Sequence, residues 1–209
     1  MRVQTETKGK KFPPLEIKKF MDIRNHGFFR VAAIVPQVSL ANPDMNSSWH
    51  ASRLVQAAAK GAQYAVCPEL GLTGYSVQDL FFDQTLQHSS LKALAGLLEL
   101  SLAYEMVVSV GMPLEFNNAI YNCAVTYYKG RILAITPKLY PPEYREFYEL
   151  RHFARGSEAH FDTVTVLGQT GIPFGTDILI RSRDIPGFVL HTQVCEDGWV
   201  PVPPSSLAV

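Results

Sequence analysis

The stretch Phe29-Arg-Val-Ala-Ala-Ile-Val-Pro-Gln-Val38 decides the fold class of this chain. It is rich in β-branched and small apolar residues, with no polar alternation in its middle. Alternation is expected of a strand with one wet face, whereas a continuous apolar run is typical of a strand covered on both faces. The stretch therefore predicts the first strand of a sheet that is buried on both sides.

A helix and a second strand follow this first strand. Asn42 and Pro43 offer an N-cap and a first helical position, and apolar residues recur at helical spacing until Gly61. Tyr64-Ala-Val-Cys-Pro-Glu69 then returns as a short apolar strand. Strand, helix and strand in this order form a βαβ unit, in which the two strands are parallel. The chain is therefore predicted to have an α/β fold.

The rest of the chain continues this pattern. A short helix or turn is predicted at 79–89, broken at His88-Ser89-Ser90, and a long helix from about Ser90 to Glu105. Lys129-Gly130 is a two-residue hairpin signal. Pro137–Glu149, dense in proline, aromatic and charged residues, predicts a loop that often binds a ligand. The further expected strands are Met106–Gly111, Ala119–Tyr128, Arg131–Thr136, Thr163–Leu167, Asp177–Arg181 and Phe188–Cys195.

Composition indicates one globular, soluble domain. The chain has 209 residues, 47% of them hydrophobic, which is enough for one sizeable core. Its 19 basic and 19 acidic side chains cancel, so bulk charge gives no support for a nucleic-acid partner or an acidic membrane surface. No apolar stretch reaches the length of about 18 to 20 residues that crosses a bilayer, and the N-terminus has no secretory signal. We expect a cytoplasmic protein that acts on a small molecule.

The first 20 residues differ in character from the rest. Five lysines surround Pro13-Pro14 with little hydrophobic periodicity, which predicts a disordered arm over 1–20. Met21 opens a sequence that is more typical of a domain start. The hypothesis that translation begins at Met21 can be checked by identifying the N-terminal residue of the native protein.

The three cysteines do not predict a disulfide framework or a metal site. Cys67, Cys123 and Cys195 are odd in number and widely spaced, with no CxxC pair. Cys67 and Cys123 lie inside apolar strands and are interpreted as core packing. The same interpretation applies to Cys195 unless other residues supply a base and an anion stabiliser.

Three predicted strand ends supply such a set. Glu69, Lys138 and Cys195 each follow a strand, and sites in open α/β sheets lie outside strand ends. A carboxylate can take the thiol proton during attack, and an ammonium can stabilise the thiolate and a developing oxyanion. The carboxylates of Glu196 and Asp197 would oppose thiolate formation, so we expect them to be turned aside. The set predicts nucleophilic attack on an amide carbonyl.

Three motifs around these residues resemble those of the nitrilase, or carbon-nitrogen hydrolase, superfamily. They are Pro68-Glu-Leu-Gly-Leu-Thr-Gly-Tyr75, Pro137-Lys138 with Glu146-Phe-Tyr-Glu149, and Val194-Cys-Glu-Asp197. A narrower resemblance, to the N-terminal glutaminase domains of glutamine-dependent NAD synthetases, runs from about Met21 to the last residues. It is carried by Arg145-Glu-Phe-Tyr-Glu149, Phe174-Gly-Thr-Asp177 and Pro186-Gly-Phe-Val-Leu-His191.

The resemblance implies a fold and a domain extent. The implied fold is a nitrilase-like α-β-β-α sandwich, with residues 21–209 as one glutaminase domain. The family's glutaminase unit continues with further strands and helices, so the C-terminal part of the sandwich is expected to be missing here. An unpaired sheet edge and an uncovered apolar face are then expected beside Cys195.

The resemblance also implies residue roles. Cys195 would attack the side-chain amide of glutamine with Glu69 as general base, while Lys138 and the backbone N–H of Glu196 hold the oxyanion. Glu149 would brace the lysine. The implied glutamine-contacting residues are Tyr144, Tyr75 and Trp199.

Cofactor and partner expectations follow from the same resemblance. The glutaminase step needs no cofactor and no metal, whereas ATP and nicotinic acid adenine dinucleotide belong to a synthetase domain that these 209 residues lack. The ammonia acceptor would be a separate NAD synthetase chain or domain, and family members form homo-oligomers. Two alternatives stay open: a stand-alone amidase or nitrilase for another small amide, and an inactive fragment that acts at most as a binding module.

Overall fold

The computed structural model describes residues 21–185 and 187–208. They fall into two compact units that divide after Arg30. In the first unit, the Asp22 side chain caps a short 3-10 helix, Ile23–His26, which ends at Gly27 with a φ of 77°. The predicted arm, 1–20, lies outside the described residues.

The second unit is built on a five-stranded sheet with the order β1-β2-β3-β4-β5. The first three strands are parallel, and β4 and β5 extend the sheet in antiparallel fashion. This mixed sheet confirms the predicted α/β class and the parallel βαβ unit. The strands are β1 (Val31–Ala33), β2 (Tyr64–Val66), β3 (Val107–Phe116), β4 (Ala119–Tyr128) and β5 (Arg131–Pro137).

The first strand is shorter and wetter than predicted. The strand expected over Phe29–Val38, covered on both faces, is paired only over Val31–Ala33. Val31 is 59% exposed and Val35 84% exposed. The prediction of two-sided burial was therefore wrong, because the side chains of Val31 and Val35 face solvent, whereas Ile34 on the other face is buried. Pro36 carries no N–H for further pairing, which is consistent with the short strand.

Helix α1 (Pro43–Ala59) matches the prediction at both ends. The Asn42 side chain accepts a hydrogen bond from the Met45 N–H over 3.1 Å, and Pro43 occupies the first turn. Gly61, which follows the helix, has a φ of 76°, a left-handed conformation that glycine adopts without strain.

Helix α2 (Gln84–Leu100) begins earlier than predicted. We expected a break at His88-Ser89-Ser90, but Asp83 caps the helix by accepting from the N–H groups of Thr85 and Leu86. Within the helix, His88 and Ser90 form hydrogen bonds with the carbonyl groups of the preceding turn. Their polar groups are thereby satisfied inside the helix, so they do not interrupt it. A 3-10 turn, Gln78–Phe82, precedes the capping residue.

The helices α1 and α2 contact each other and bury apolar side chains together with the sheet. Cys67, 9% exposed, and Cys123, 1% exposed, belong to this core, in agreement with their interpretation as packing residues. Fully buried members from the two helices and from three strands are Leu54, Leu94, Val108, Val125 and Ile135.

The turn between β4 and β5 is the predicted two-residue hairpin. Tyr128 pairs with Arg131 across it. Lys129 and Gly130 both have positive φ, 47° and 74°, as a type I′ turn requires. This tight connection sends β5 back along β4 toward Lys138.

The strands after residue 160 are mostly shorter than predicted. The expected strands Asp177–Arg181 and Phe188–Cys195 are wrong in length, since each keeps two paired residues and pairs only with the other. The segment 169–173, which is not among the expected strands, is a strand paired with the predicted strand at 163–166. The observed elements are β6 (Thr163–Val166), β7 (Gln169–Pro173), β8 (Ile180–Arg181), β9 (Val189–Leu190) and α3 (Pro204–Leu207).

Further single 3-10 turns connect these elements. They are Ser101–Ala103, Glu149–Arg151, Gly156–Glu158 and Cys195–Gly198. Within the described ranges, no helix combines the length and apolar character needed to cross a membrane.

Candidate active site

Lys138 is the buried centre of the site. It directly follows β5, and its backbone N–H donates to the carbonyl group of Asn122 over 2.8 Å. Its Nζ atom lies 2.7 Å from Oε1 of Glu69 and 2.7 Å from Oε1 of Glu149, with no side-chain exposure. Burial alone would lower the pKa of Lys138, but the charges of the two glutamates outweigh it and raise the pKa. Lys138 is therefore an ammonium ion between two carboxylates.

Glu69 reaches Lys138 from the loop that follows β2. This loop passes close to Gly111 on β3: a Cβ atom there would lie 2.4 Å from the Pro68 carbonyl oxygen and 2.8 Å from the Glu69 Cα. Only glycine permits so close a backbone approach. The Glu69 side chain is 18% exposed, so the carboxylate contacts the fully buried lysine while part of the side chain remains accessible to solvent.

Cys195 begins the 3-10 turn Cys195–Gly198 with a φ of 47°, a strained conformation for a residue other than glycine. The residue is exposed, and its thiol lies within the electrostatic influence of Glu69. Partial burial, the Glu69 charge and hydrogen bonding to Glu69 raise the pKa of Cys195 to about 11, against the opposing effect of Lys138. At neutral pH the group is a thiol, which needs a base during attack.

Glu149 is the second carboxylate that contacts the lysine. It is 4% exposed and starts the 3-10 turn after the proline-rich loop. Burial raises the pKa of Glu149, and this is partly offset by Lys138 and by a hydrogen bond from Tyr75. The Tyr75 hydroxyl donates to Glu149 Oε1 over 2.6 Å. Burial and the glutamate together raise the pKa of Tyr75, which therefore stays a hydrogen-bond donor.

Asn122 is a site residue that the sequence interpretation missed. It lies on β4, is 1% exposed, and its Nδ2 donates to Glu69 Oε1 over 2.7 Å. A signal was present, because asparagine is depleted in strands and Asn122 interrupts the apolar part of the predicted Ala119–Tyr128 strand. The sequence thus marks Asn122 as an unusual strand residue, but it does not show that its side chain contacts Glu69.

Glu196 and Asp197 have partners other than the thiol, as expected. The Asp197 carboxylate is 1% exposed and accepts from the backbone N–H groups of Leu139, Tyr140 and Val194 over 2.8 to 3.3 Å. Burial raises the pKa of Asp197, and these backbone hydrogen bonds oppose that effect. Asp197 therefore links the segment after Lys138 to the residue before Cys195.

The three aromatic residues predicted to contact the substrate differ from one another in their contacts and exposure. The Tyr144 ring contacts Phe147, which in turn contacts Tyr75. The Tyr144 hydroxyl donates to Glu196 Oε2 over 2.8 Å, and the residue is 50% exposed. Trp199 is 80% exposed. A role for any of the three in substrate binding stays a prediction.

A cavity of about 330 Å³ adjoins the buried side of this site. Tyr75 and Glu149 line it together with Phe81 and Phe147, whereas Cys195 and Glu69 do not. Within the residues that the structure describes, no group of three or more His, Cys, Asp and Glu side chains is placed to hold a metal ion.

The geometry defines a thiol beside a carboxylate that is itself held by an ammonium ion, at the end of a mixed sheet. A family model for carbon-nitrogen hydrolases matches residues 30–206. The chain belongs to the carbon-nitrogen hydrolase family, and its nitrilase-type α/β fold is confirmed.

Among curated proteins, the chain is similar to the glutamine-dependent NAD(+) synthetase of Mycobacterium tuberculosis. The two are 42% identical over 192 residues, which cover 90% of this chain and 28% of the relative. The match lies in the N-terminal part of such synthetases, which confirms the narrower resemblance. The chain thus spans less than a third of the length of that relative.

Two solved structures illustrate the range of the fold. The glutamine-dependent NAD+ synthetase of Acinetobacter baumannii, in complex with ADP, matches with a TM-score of 0.63 and 25% identity, covering 84% of this chain and 29% of that one. An amidase from Nesterenkonia matches with a TM-score of 0.53 and 18% identity, covering 66% of this chain and 51% of that one. The amidase likeness supports the fold alone.

Proposed function

We propose that this chain is a glutamine amidohydrolase that releases ammonia through a Cys195 thioester. The observation that carries the proposal is the direct contact of Lys138 with Glu69 and Glu149, beside a thiol whose pKa the Glu69 charge helps to raise. The similarity to glutamine-dependent NAD(+) synthetases supports glutamine as the amide. We place the reaction in the cytoplasm.

In the first half-reaction, the thiol loses its proton to Glu69 as sulfur attacks the amide carbon. The high pKa of Cys195, about 11, makes proton transfer part of this step rather than a separate ionisation. The carbonyl oxygen becomes an oxyanion, stabilised by the Lys138 ammonium and the Glu196 backbone N–H. Glu69 then returns the proton to the leaving nitrogen, the carbon–nitrogen bond breaks, and ammonia leaves behind an acyl-thioester.

In the second half-reaction, Glu69 removes a proton from water as the water oxygen attacks the thioester carbon. The carbon–sulfur bond breaks, the proton returns to sulfur, and glutamate is released. Glu149 keeps Lys138 in place throughout. Tyr75, Tyr144 and Trp199 would contact the remainder of the glutamine molecule.

The ammonia would be consumed by an acceptor reaction outside these residues. We propose that a synthetase domain or a separate NAD synthetase chain uses it, with ATP, to amidate nicotinic acid adenine dinucleotide. The name of the curated relatives supports this assignment, and the glutaminase step itself uses no cofactor. Assembly into a homo-oligomer is part of the same proposal.

The test is ammonia release by the purified chain from glutamine, compared with asparagine, simple amides and nitriles. We expect turnover of glutamine and covalent labelling of Cys195 by a glutamine-like diazoketone, both lost in Cys195→Ala. Turnover of another amide, with no turnover of glutamine, would replace the proposal with that of a stand-alone amidase. A cooperatively melting chain that is neither active nor labelled would leave the binding-module alternative.

A further inference from the structure

Asn122 donates a side-chain hydrogen bond to the same Glu69 oxygen that Lys138 contacts. Its Nδ2 atom is 2.7 Å from Glu69 Oε1 and 3.5 Å from Glu149 Oε2. The amide orientation follows from these contacts, since the reverse orientation would place Oδ1 against a carboxylate. Asn122 therefore presents its donor group to the two acids that flank Lys138.

The other half of this amide makes no such contribution. Asn122 Oδ1 is buried and has no hydrogen-bond partner among the described residues. A buried acceptor without a partner is a net cost to the folded state, and such groups call for an explanation other than stability. The donor bond to Glu69 is the one that explains why an amide lies here.

The backbone of Asn122 fixes the direction of the donor. Residue 122 lies on a strand that is paired on both sides, opposite Pro113 of β3, and its carbonyl group accepts from the Lys138 N–H. One residue thus determines where the lysine leaves the sheet and where the Glu69 carboxylate is held. Its position depends on the sheet rather than on a loop.

We infer that Asn122 is a positioning residue for the general base. It holds Glu69 Oε1 together with Lys138, which leaves Oε2 to take the thiol proton, and its donor group compensates part of the Glu69 negative charge. This inference rests on the proposed role of Glu69 as the base. The other titratable groups that act on or near Glu69 are Lys138, Glu149, Tyr75 and Cys195.

Thr126 provides a matched control on the same strand. It is 1% exposed, and its hydroxyl forms a 2.8 Å hydrogen bond with Ser109, away from the charged cluster. The variants Asn122→Leu and Thr126→Val each remove one buried polar group from β4. If Asn122 had only a structural role, both variants would lose stability to a similar extent, and neither would change the reactivity of the Cys195 thiol.

The experiment measures the rate of Cys195 alkylation by iodoacetamide as a function of pH. It uses the full chain, with the modified residue identified by mass spectrometry, and needs no turnover of glutamine. Without this donor, less of the Glu69 negative charge is compensated, so the thiol should ionise at higher pH. We therefore expect the alkylation profile of Asn122→Leu to move to higher pH by roughly one unit, with about a tenfold lower rate near neutral pH. Thr126→Val should follow the unmodified chain. If Asn122→Leu does not melt cooperatively, the isosteric Asn122→Asp carries the test, with a shift in the same direction.

An Asn122 variant whose alkylation profile matches that of Thr126→Val would overturn the inference. Ammonia release from glutamine is measured in parallel for each variant. A shifted alkylation profile without glutamine turnover in the unmodified chain would support the Asn122 role while removing the proposed substrate. Glutamine turnover in the unmodified chain, together with an unshifted alkylation profile in the Asn122 variants, would support the proposed substrate and overturn the role of Asn122.

Discussion

The two halves of the site are built differently. Lys138, Glu149 and Asn122 are 1%, 4% and 1% exposed. Asn122 lies within a long paired strand, Lys138 directly follows another, and hydrogen bonds join both residues to Glu149. Cys195 is exposed, follows a two-residue strand and sits in a strained turn. The cation thus follows a strand directly and the base is held by side chains of the sheet and its end, whereas the nucleophile depends on local contacts, of which Asp197 makes the most.

The largest expected effect is on the exposed half. Cys195→Ala should lower ammonia release from glutamine by about 10⁴-fold or more, because the nucleophile is removed. Its effect on the free energy of unfolding should stay within about 0.5 kcal/mol, since the side chain is exposed. Steady-state ammonia assays and urea unfolding measure the two quantities. A large loss of stability would contradict the contrast between the halves.

The buried half should respond in both quantities. Lys138→Met leaves Glu69 and Glu149 without their shared cation, so we expect a loss of about 3 to 5 kcal/mol of unfolding free energy. Activity should fall by about 10²- to 10³-fold, because a donor to the oxyanion is lost. The double variant Lys138→Met with Glu149→Gln is the control, and it should recover part of the stability but not the activity. A stable Lys138→Met variant would show that the charges are not buried as described.

Asp197 should respond as a link between the halves. Asp197→Asn has the same shape but replaces one acceptor oxygen with a donor that faces backbone N–H groups, at an expected cost of about 1 to 3 kcal/mol. Ammonia release should fall about tenfold or more through kcat, because the turn carrying Cys195 is displaced. The neighbouring Glu196→Gln is the control, with its effect expected in KM. A KM effect alone in Asp197→Asn would argue against a positioning role.

The pKa of Cys195 offers a pH-dependent test of how the halves interact. Partial burial, together with the charge of Glu69 and a hydrogen bond to it, raises this pKa to about 11. Glu69→Gln removes both contributions of the carboxylate, so the pKa should fall and alkylation of the thiol at pH 9 should become about tenfold faster. Ammonia release should drop at the same time, because the base is gone. Slower alkylation at pH 9 would contradict the sign of this coupling.

The smallest expected effect concerns Trp199, which is 80% exposed. Trp199→Ala should leave the free energy of unfolding within about 0.5 kcal/mol of the unmodified chain. If the ring contacts glutamine, KM rises a few-fold with kcat unchanged, as kinetic titration would show. The control is Leu207→Ala, which truncates a different exposed apolar side chain that is 70% exposed. Equal KM values for the two variants would remove Trp199 from the substrate-contacting set.

The sequence predicted the βαβ unit and the meeting of Glu69 with Lys138, because parallel strands bring their ends to one edge of a sheet. It did not predict the short strand before Cys195, since an apolar run does not reveal whether a partner strand exists. The early start of α2 was missed because the polar run that includes His88 and Ser90 was interpreted as a break in the helix. Their side chains instead form hydrogen bonds with backbone carbonyl groups of the same helix. Asn122 was missed because its role depends on a residue 53 positions away in sequence.

Acid-quenched mass spectrometry after mixing the chain with glutamine tests the central claim most directly. The account predicts a glutamyl group on the peptide containing Cys195, released by hydroxylamine as a thioester should be, and absent in Cys195→Ala. In Glu69→Gln the adduct should form much more slowly. Ammonia release without this adduct, or an adduct on Cys67 or Cys123 instead, would contradict the account.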